Sequence, residues 1–124
     1  MTFIKLPDTS IEVSPLLVKQ GVFGLSPPGL TRTNVSVVEA DEYAASVGCR
    51  LLTSDEWDKL LIADLPEVSI GDLGEWTSTT IGTDRVNRGG GQGNNATNTR
   101  VANRYGVDPG YTSDDIGFRL VRDL

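Results

Sequence analysis

The sequence predicts a single α+β domain over residues 1–124. Short apolar runs separated by proline and glycine occupy both ends of the chain, as strands and turns do. Two segments between them combine helix-start signals with apolar residues at helical spacing. With 38% hydrophobic residues and 14 glycines, a chain of 124 residues can bury one core and favours a loop-rich fold.

The N-terminal part, residues 1–33, predicts short strands. Residues 3–6 are apolar except for Lys5, residues 11–13 alternate apolar and acidic, and residues 16–18 are apolar throughout. Pro7, Pro15 and Gly21 lie between or after these runs. A Ser-Pro-Pro-Gly sequence at 26–29 indicates a loop, because paired prolines forbid a helix.

The middle of the chain predicts two helices. Residues 36–39 form the first capping box, and Gly48 suits the left-handed position that ends a helix. The predicted apolar face of this helix consists of Val37, Ala40, Ala44 and Val47. Residues 53–56 form a second capping box, with Trp57, Leu60 and Leu61 on one face and Pro66 beyond the end.

The last part of the chain, from Gly71, predicts strands again. One strand is expected at residues 85–88 and a closing strand after residue 117. In the closing strand, Phe118, Leu120 and Leu124 are expected to face a core, with Arg119 and Arg122 in solvent.

A polar segment lies between Arg88-Gly89-Gly90 and the Gly-Phe-Arg-Leu-Val sequence at 117–121. This framed segment, residues 91–116, resembles neither a helix nor a run of strands. A long irregular segment in a small domain is usually functional or disordered. Tyrosine gives contact area at low entropic cost, and asparagine gives adaptable hydrogen bonds. The residues predicted to bind a partner are Asn94, Asn95, Asn98, Asn103, Tyr105 and Tyr111. The alternative is that the asparagines only satisfy loop backbone.

Composition excludes several classes of function. A net charge of −6 gives non-specific nucleic-acid binding no electrostatic support. The absence of histidine removes the usual general base, zinc sites and Ser-His-Asp triads. One cysteine excludes an intrachain disulfide, and with one methionine it leaves no soft-metal site. We expect neither a signal peptide nor a membrane span, because no suitable apolar run is present.

Several conspicuous residues predict structural roles. Trp57 and Trp76 are expected in the core with bonded indoles, and Cys49 is expected as a small buried hydrophobe. Glu39 and Glu56 should act as helix caps, and Glu75 as a loop anchor. The arginines expected to pair with carboxylates are Arg88, Arg100, Arg104 and Arg119.

No cofactor is predicted. The glycine run at 89–91 lacks the Lys-Ser/Thr of a phosphate loop. Calcium is the metal that would suit Asp108, Asp114 and Asp115, but it needs six or more oxygen ligands.

Four motifs together carry a resemblance to a known family. Residues 35–57, 71–77, 88–90 and 117–122 resemble, in order, motifs of the formylglycine-generating, sulfatase-modifying-factor family. The resemblance implies a C-type-lectin-like fold: a twisted antiparallel sheet, two helices, long irregular loops and the two termini paired in one sheet.

The departures from the family concern its chemistry. Aligned on Arg-Gly-Gly, Asn94 and Thr99 stand about where the copper-using enzymes have cysteines, and neither can form a thiolate ligand. The related sulfoxide synthases need histidine-ligated iron, and Gly74 stands where a second tryptophan is usual. The resemblance therefore implies a retained scaffold without the enzymatic activity.

The chain also resembles non-enzymatic relatives of this scaffold. Variable proteins of diversity-generating retroelements, including phage receptor-binding proteins, display changeable residues between the Arg-Gly-Gly and Gly-Phe-Arg motifs. The prediction is thus a non-catalytic phage virion surface protein that binds a host-surface receptor or a neighbouring virion protein. The same resemblance implies a homotrimer. The alternatives are a capsid decoration protein, a degenerate enzyme and a carbohydrate-binding lectin.

Overall fold

The computed structural model describes residues 3–17, 36–68, 74–89, 104–111 and 116–124. Within these ranges the chain forms two α-helices, seven strands and one 3-10 turn, which confirms the predicted α+β class. The helices are α1 (Val37–Ser46) and α2 (Ser54–Ala63), and the 3-10 turn is Pro66–Val68. The strands are β1 (Ile4–Lys5), β2 (Ile11–Val13), β3 (Gly74–Ile81), β4 (Asp84–Gly89), β5 (Arg104–Val107), β6 (Ile116–Gly117) and β7 (Val121–Asp123).

A three-stranded antiparallel sheet joins the two ends of the chain. Its strand order is β1-β2-β7, with Val13 paired to Val121. Single bridges extend it, from Leu17 to Phe118 and from Arg50 to Val121. The expectation that the termini share one sheet is therefore confirmed.

A four-stranded sheet, in the order β5-β4-β3-β6, occupies the other part of the fold. A two-residue turn joins β3 to β4, and Gly82 takes there the positive φ of 59° that side chains avoid. The β3–β4 and β4–β5 pairs are antiparallel, whereas β6 runs parallel to β3. The expected antiparallel arrangement is thus wrong for β6.

Local sequence signals set the helix ends as predicted. Each helix has a capping box in which the hydroxyl accepts the N3 backbone N–H and the N3 glutamate accepts the N-cap N–H, at Ser36–Glu39 and Thr53–Glu56. Gly48 follows the end of α1 with φ 74°, as expected for a glycine at that position.

The apolar residues form two core clusters. The α1 core cluster comprises Leu17, Val37, Ala40, Ala44, Leu51, Trp76, Phe118 and Leu120. The α2 core cluster comprises Leu6, Ile11, Val13, Leu52, Trp57, Leu60, Val68 and Val121. Two predicted core residues are wrong: Val47 is 48% exposed where α1 ends, and Leu124 is 65% exposed as the last residue.

The two helices pack against opposite faces of the four-stranded sheet. Arg85 of β4 pairs with Asp41 of α1, and Arg88 of the same strand pairs with Asp58 of α2. Residues three apart on a strand point to opposite faces, so each helix covers one face. In the described part of the chain, no helix is both long and apolar enough to cross a bilayer.

Candidate functional site

The two ends of the framed segment lie beside one residue of the sheet. We call these ends its roots: the first root is the end of β4 at Gly89, and the second root is β6, which starts at Ile116. Gly74 of β3 is paired with Gly89 at the end of β4 and with Ile116 at the start of β6. Neighbouring strands lie about 4.8 Å apart, so the two roots are about 10 Å apart on either side of Gly74. The frame predicted from the sequence is therefore one feature of a single sheet.

Arg88 fixes the first root. Its side chain is 0% exposed, and its Nη1 donates to the carbonyl and hydroxyl oxygens of Ser54 at 3.0 and 2.9 Å. Nη2 donates to an Asp58 oxygen at 2.6 Å, and the guanidinium lies 4.4 Å from the centre of the Trp57 ring. The prediction that Arg88 pairs with a carboxylate is confirmed, and the pair joins β4 to the start of α2.

Arg119 fixes the second root, next to the edge of β3 that pairs with β6. Its Nε and Nη2 donate to the two Glu75 oxygens at 2.7 and 3.1 Å, and both side chains are almost fully buried. Nη1 donates to the Val68 carbonyl at 2.9 Å. A guanidinium held by two parallel bonds to one carboxylate has a fixed orientation. Glu75 is thus the predicted anchor, although it lies in a strand and not in a loop.

The predicted solvent exposure of Arg119 is wrong. Strand alternation does not apply there, because the regular strand β7 begins only at Val121. Phe118, Arg119 and Leu120 are all buried, since this short connection runs between the two sheets and is bonded to residues 14 and 17. Arg122, in the strand proper, is exposed as predicted.

Asn87 occupies the space that Gly74 leaves empty. A Cβ built on Gly74 would lie 2.7 Å from Asn87 Oδ1 and 3.5 Å from Ile116 Cγ1. The Asn87 side chain is buried, and its Nδ2 has no acceptor in the described part of the chain. The sheet therefore has no room for a tryptophan at position 74, where the resembled enzymes usually have one.

Gly74→Ala tests this close approach. We expect the free energy of unfolding to fall by about 1–3 kcal/mol, because the new methyl group must push a buried amide aside. Urea denaturation measures the change. Adding Asn87→Ala should recover most of the lost stability, whereas a Gly74→Ala protein as stable as the parent would show that the contact is not restrictive.

The framed segment contains a strand, contrary to the sequence prediction. Residues 104–107 form β5, which pairs with β4, and Tyr105 lies opposite Asn87. Ile116 also belongs to a strand, β6. Only Tyr105 and Val107 alternate around Gly106, which is too short a pattern to distinguish this strand from its polar surroundings.

A hydrogen-bonded turn follows β5 and presents Tyr111. The Tyr111 N–H donates to the Asp108 carbonyl at 3.0 Å, and the Gly110 N–H donates to Asp108 Oδ1 at 2.7 Å. Tyr111 is 50% exposed. The turn therefore holds a predicted contact residue at the surface.

The other predicted contact residues are not brought together by any described contact. Asn94, Asn95, Asn98 and Asn103 lie outside the described residues, as does the side chain of Tyr105. Arg100, Asp114 and Asp115 also lie outside them. Their roles stay predictions.

The titratable groups that are described form no metal cluster. No three aspartate, glutamate or cysteine side chains among these residues lie close enough to hold a metal ion. Cys49 is half-buried beside the α1 core cluster, and burial raises the pKa of its thiol despite the opposing effect of Arg122. The thiol is therefore protonated near neutral pH and is a poor nucleophile.

Trp57 differs from its prediction in one respect. It is buried as expected, but its indole Nε1 finds no hydrogen-bond partner among the described residues. Its ring face instead lies against the Arg88 guanidinium. The cation–π contact, which sequence cannot show, is what links this tryptophan to the first root.

An ion-pair network around Arg50 links the start of α2 to the C-terminal strand β7. Arg50 donates to both Glu56 oxygens at 2.8 Å and to both Asp123 oxygens at 3.0 Å. The hydrogen bonds from Arg50 lower the pKa of Glu56 and of Asp123. Glu56 also caps α2, so Arg50 links the capping carboxylate of the helix to Asp123 of the C-terminal strand.

This network predicts an acid-dependent loss of stability. The folded-state pKa of Glu56 is below its unfolded value, so its contribution is present above the unfolded pKa and is lost as pH falls through the folded pKa. Glu56→Gln keeps a capping side chain but loses the charge. We expect it to lower the free energy of unfolding by about 1 kcal/mol at pH 7. In urea denaturation the difference between parent and variant should shrink as the pH falls through the folded-state pKa of Glu56, because the carboxylate is then protonated; a difference that stays constant with pH would contradict the assignment.

The comparison with known proteins bears on the C-terminal part of the chain, which contains the frame. Residues 67–124 match the family model of the sulfatase-modifying factor enzyme 1-like domain. The match supports the relationship to the sulfatase-modifying factor family that the four motifs suggested. It covers β3 to β7 and both roots, whereas the helical motifs at 35–57 precede it. No curated protein and no solved structure matches the chain.

Proposed function

We propose that the chain is a non-catalytic binding protein on a C-type-lectin-like scaffold, and that it presents the framed segment to a partner. The observation that carries the proposal is the pinning of both roots around Gly74 by Arg88 and Arg119. A rigid frame lowers the ordering cost of binding. Asparagine and tyrosine within the frame supply hydrogen bonds and contact area.

The absence of enzymatic activity is part of this proposal. By sequence, Asn94 and Thr99 stand about where the copper-using enzymes have cysteines. Cys49, the one cysteine of the chain, follows the C-terminal end of α1. Incubation of the full chain with a sulfatase-type cysteine peptide and copper should give no formylglycine by mass spectrometry. Formation of the aldehyde would refute the non-catalytic assignment.

For the biological setting we propose the surface of a phage virion, in a tail or receptor-binding position. The support is the resemblance to variable phage proteins that use the same two framing motifs. The partner is then a host-surface receptor or a neighbouring virion protein, and the assembly is a homotrimer. Immunogold labelling of the tail supports this setting, and labelling of the head favours the decoration protein instead.

Binding to bacterial cells tests the recognition role. Fluorescent full-length chain should bind cells of the bacterium that the source phage infects. A variant with Asn94, Asn98, Tyr105 and Tyr111 changed to alanine should bind at least about tenfold more weakly, since hot-spot residues dominate such interfaces. Ile62→Ala, at a highly exposed position of α2, is the control and should bind like the parent. Undiminished binding by the four-residue variant, with an unchanged melting temperature, would rule out the recognition role.

A further inference from the structure

The side-chain amide of Asn87 lies between the two roots without the hydrogen bonds that a buried amide needs. We propose that this amide binds the carboxamide of an asparagine or glutamine side chain on a protein partner. The inference rests on the proposed recognition function. It adds a binding residue outside the framed segment and names the chemical group that is bound.

The Asn87 amide is buried and unsatisfied. The residue is 2% exposed, and its Nδ2 finds no acceptor among the described residues. Two other buried donors in that part of the chain lack an acceptor, but their side chains are engaged in other ways. Trp57 lies against the Arg88 guanidinium, and Arg85 donates to both Asp41 oxygens. Asn87 has no such contact in the described ranges, and an unsatisfied buried polar group that destabilises the fold indicates a functional site.

The position of the amide connects it to the framed segment. Asn87 lies two residues before the end of β4, so it is about 7 Å from the point where the first root leaves the sheet. Its Oδ1 would lie 2.7 Å from a Cβ on Gly74, and Ile116 of the second root adjoins the same point. A long side chain that enters between the roots can therefore reach the amide.

The surroundings of the amide favour a neutral ligand group. Its described neighbours Gly74, Trp76 and Ile116 carry no charge. Arg85, two residues earlier on the same face of β4, already has its charge compensated by Asp41. A charged ligand group would therefore be buried without a partner, which is costly.

A primary carboxamide matches Asn87 better than other amides do. Its oxygen and one of its N–H groups lie on the same side, so it can exchange two parallel hydrogen bonds with the Asn87 amide. A peptide group or an N-acetyl group is trans, so its C=O and N–H point in opposite directions. Such a group can pair with only one of the two Asn87 atoms at a time.

Nuclear magnetic resonance of isotope-labelled full-length chain tests the ligand chemistry. Asn87→Leu identifies the side-chain NH₂ signal of Asn87, because that signal is missing from the variant. Three peptides of equal length carry glutamine, glutamate or methionine at the centre, and N-acetylglucosamine is the glycan probe. The glutamine peptide should shift the signal with a Kd of about 1 mM, as one neutral side chain allows. The other three probes should bind at least about threefold more weakly, and equal or tighter binding of any of them overturns the inference.

Two variants separate binding from folding. Asn87→Leu keeps the volume and removes the unsatisfied amide, so its urea midpoint should equal or exceed that of the parent. Its binding to bacterial cells should nevertheless fall at least about fivefold, and Asn87→Ala should show the same loss of binding. An amide with a merely structural role would give a lower midpoint and unchanged binding.

The cell-binding results also separate this inference from the proposed function. Unchanged binding by both Asn87 variants, with impaired binding by the four-residue variant of the framed segment, overturns the inference and leaves the recognition function standing. Unchanged binding by all three variants overturns both. Ile62→Ala remains the control that should bind like the parent.

Discussion

Arg119→Met is expected to lower the free energy of unfolding by about 3–5 kcal/mol, because it leaves the Glu75 carboxylate buried without its partner. Arg119 donates two hydrogen bonds to the Glu75 carboxylate, at 2.7 and 3.1 Å, and water cannot replace them in this buried position. The substitution also frees the Val68 carbonyl that Arg119 bonds. Urea denaturation at pH 7, monitored by tryptophan fluorescence, measures the loss.

A double variant separates the charge from the packing. Glu75→Leu with Arg119→Met replaces both charges by apolar groups of similar volume, and such replacements of buried pairs are often neutral. We expect the double variant to recover most of the stability that Arg119→Met loses. If Arg119→Met costs less than about 1 kcal/mol, the ion pair is not a stabilising element of the second root.

Features encoded by neighbouring residues could be predicted from the sequence. The capping boxes of α1 and α2, the glycine after α1 and strand β4 all depend on contacts within a few positions. The pairing of the two chain ends came from the family resemblance, since no local pattern relates Val13 to Val121.

Features set by distant contacts could not be predicted in this way. Arg119 looks like a solvent-facing strand residue until Glu75, 44 positions away, is seen beside it. Strand β5 depends on β4 for its hydrogen bonds, and the parallel pairing of β6 depends on where the segment returns. Short strands of this kind carry too few residues for a periodic signal.

The same distinction between local and distant contacts applies to the candidate site. The framing motifs were visible in the sequence, and their meeting at Gly74 was not, because pairing register is a property of the folded sheet. A glycine in a strand indicates close approach of another group, and Asn87 proves to be that group. Of the six predicted contact residues, the structure places the side chain of Tyr111 alone, at the surface.

The second large effect is expected at the other root, from Arg88→Met. We predict a loss of about 2–4 kcal/mol in the free energy of unfolding. The variant removes a buried cation from the Trp57 ring, takes away a donor from Ser54 and leaves Asp58 without its 2.6 Å partner. Methionine fills a similar volume, so the loss reports on the polar contacts more than on a cavity.

Arg122→Met is the matched control for this experiment. Arg122 also combines a ring and a carboxylate, with its guanidinium 3.7 Å from the Phe3 ring centre and an ion pair to Glu12. Its side chain is 48% exposed, whereas that of Arg88 is 0% exposed. Exposed pairs contribute little because water competes for both charges, so Arg122→Met should cost less than about 1 kcal/mol. Equal losses in the two variants would mean that burial does not set the strength of the first root, and Arg88 would then fix the framed segment no more firmly than a surface arginine does.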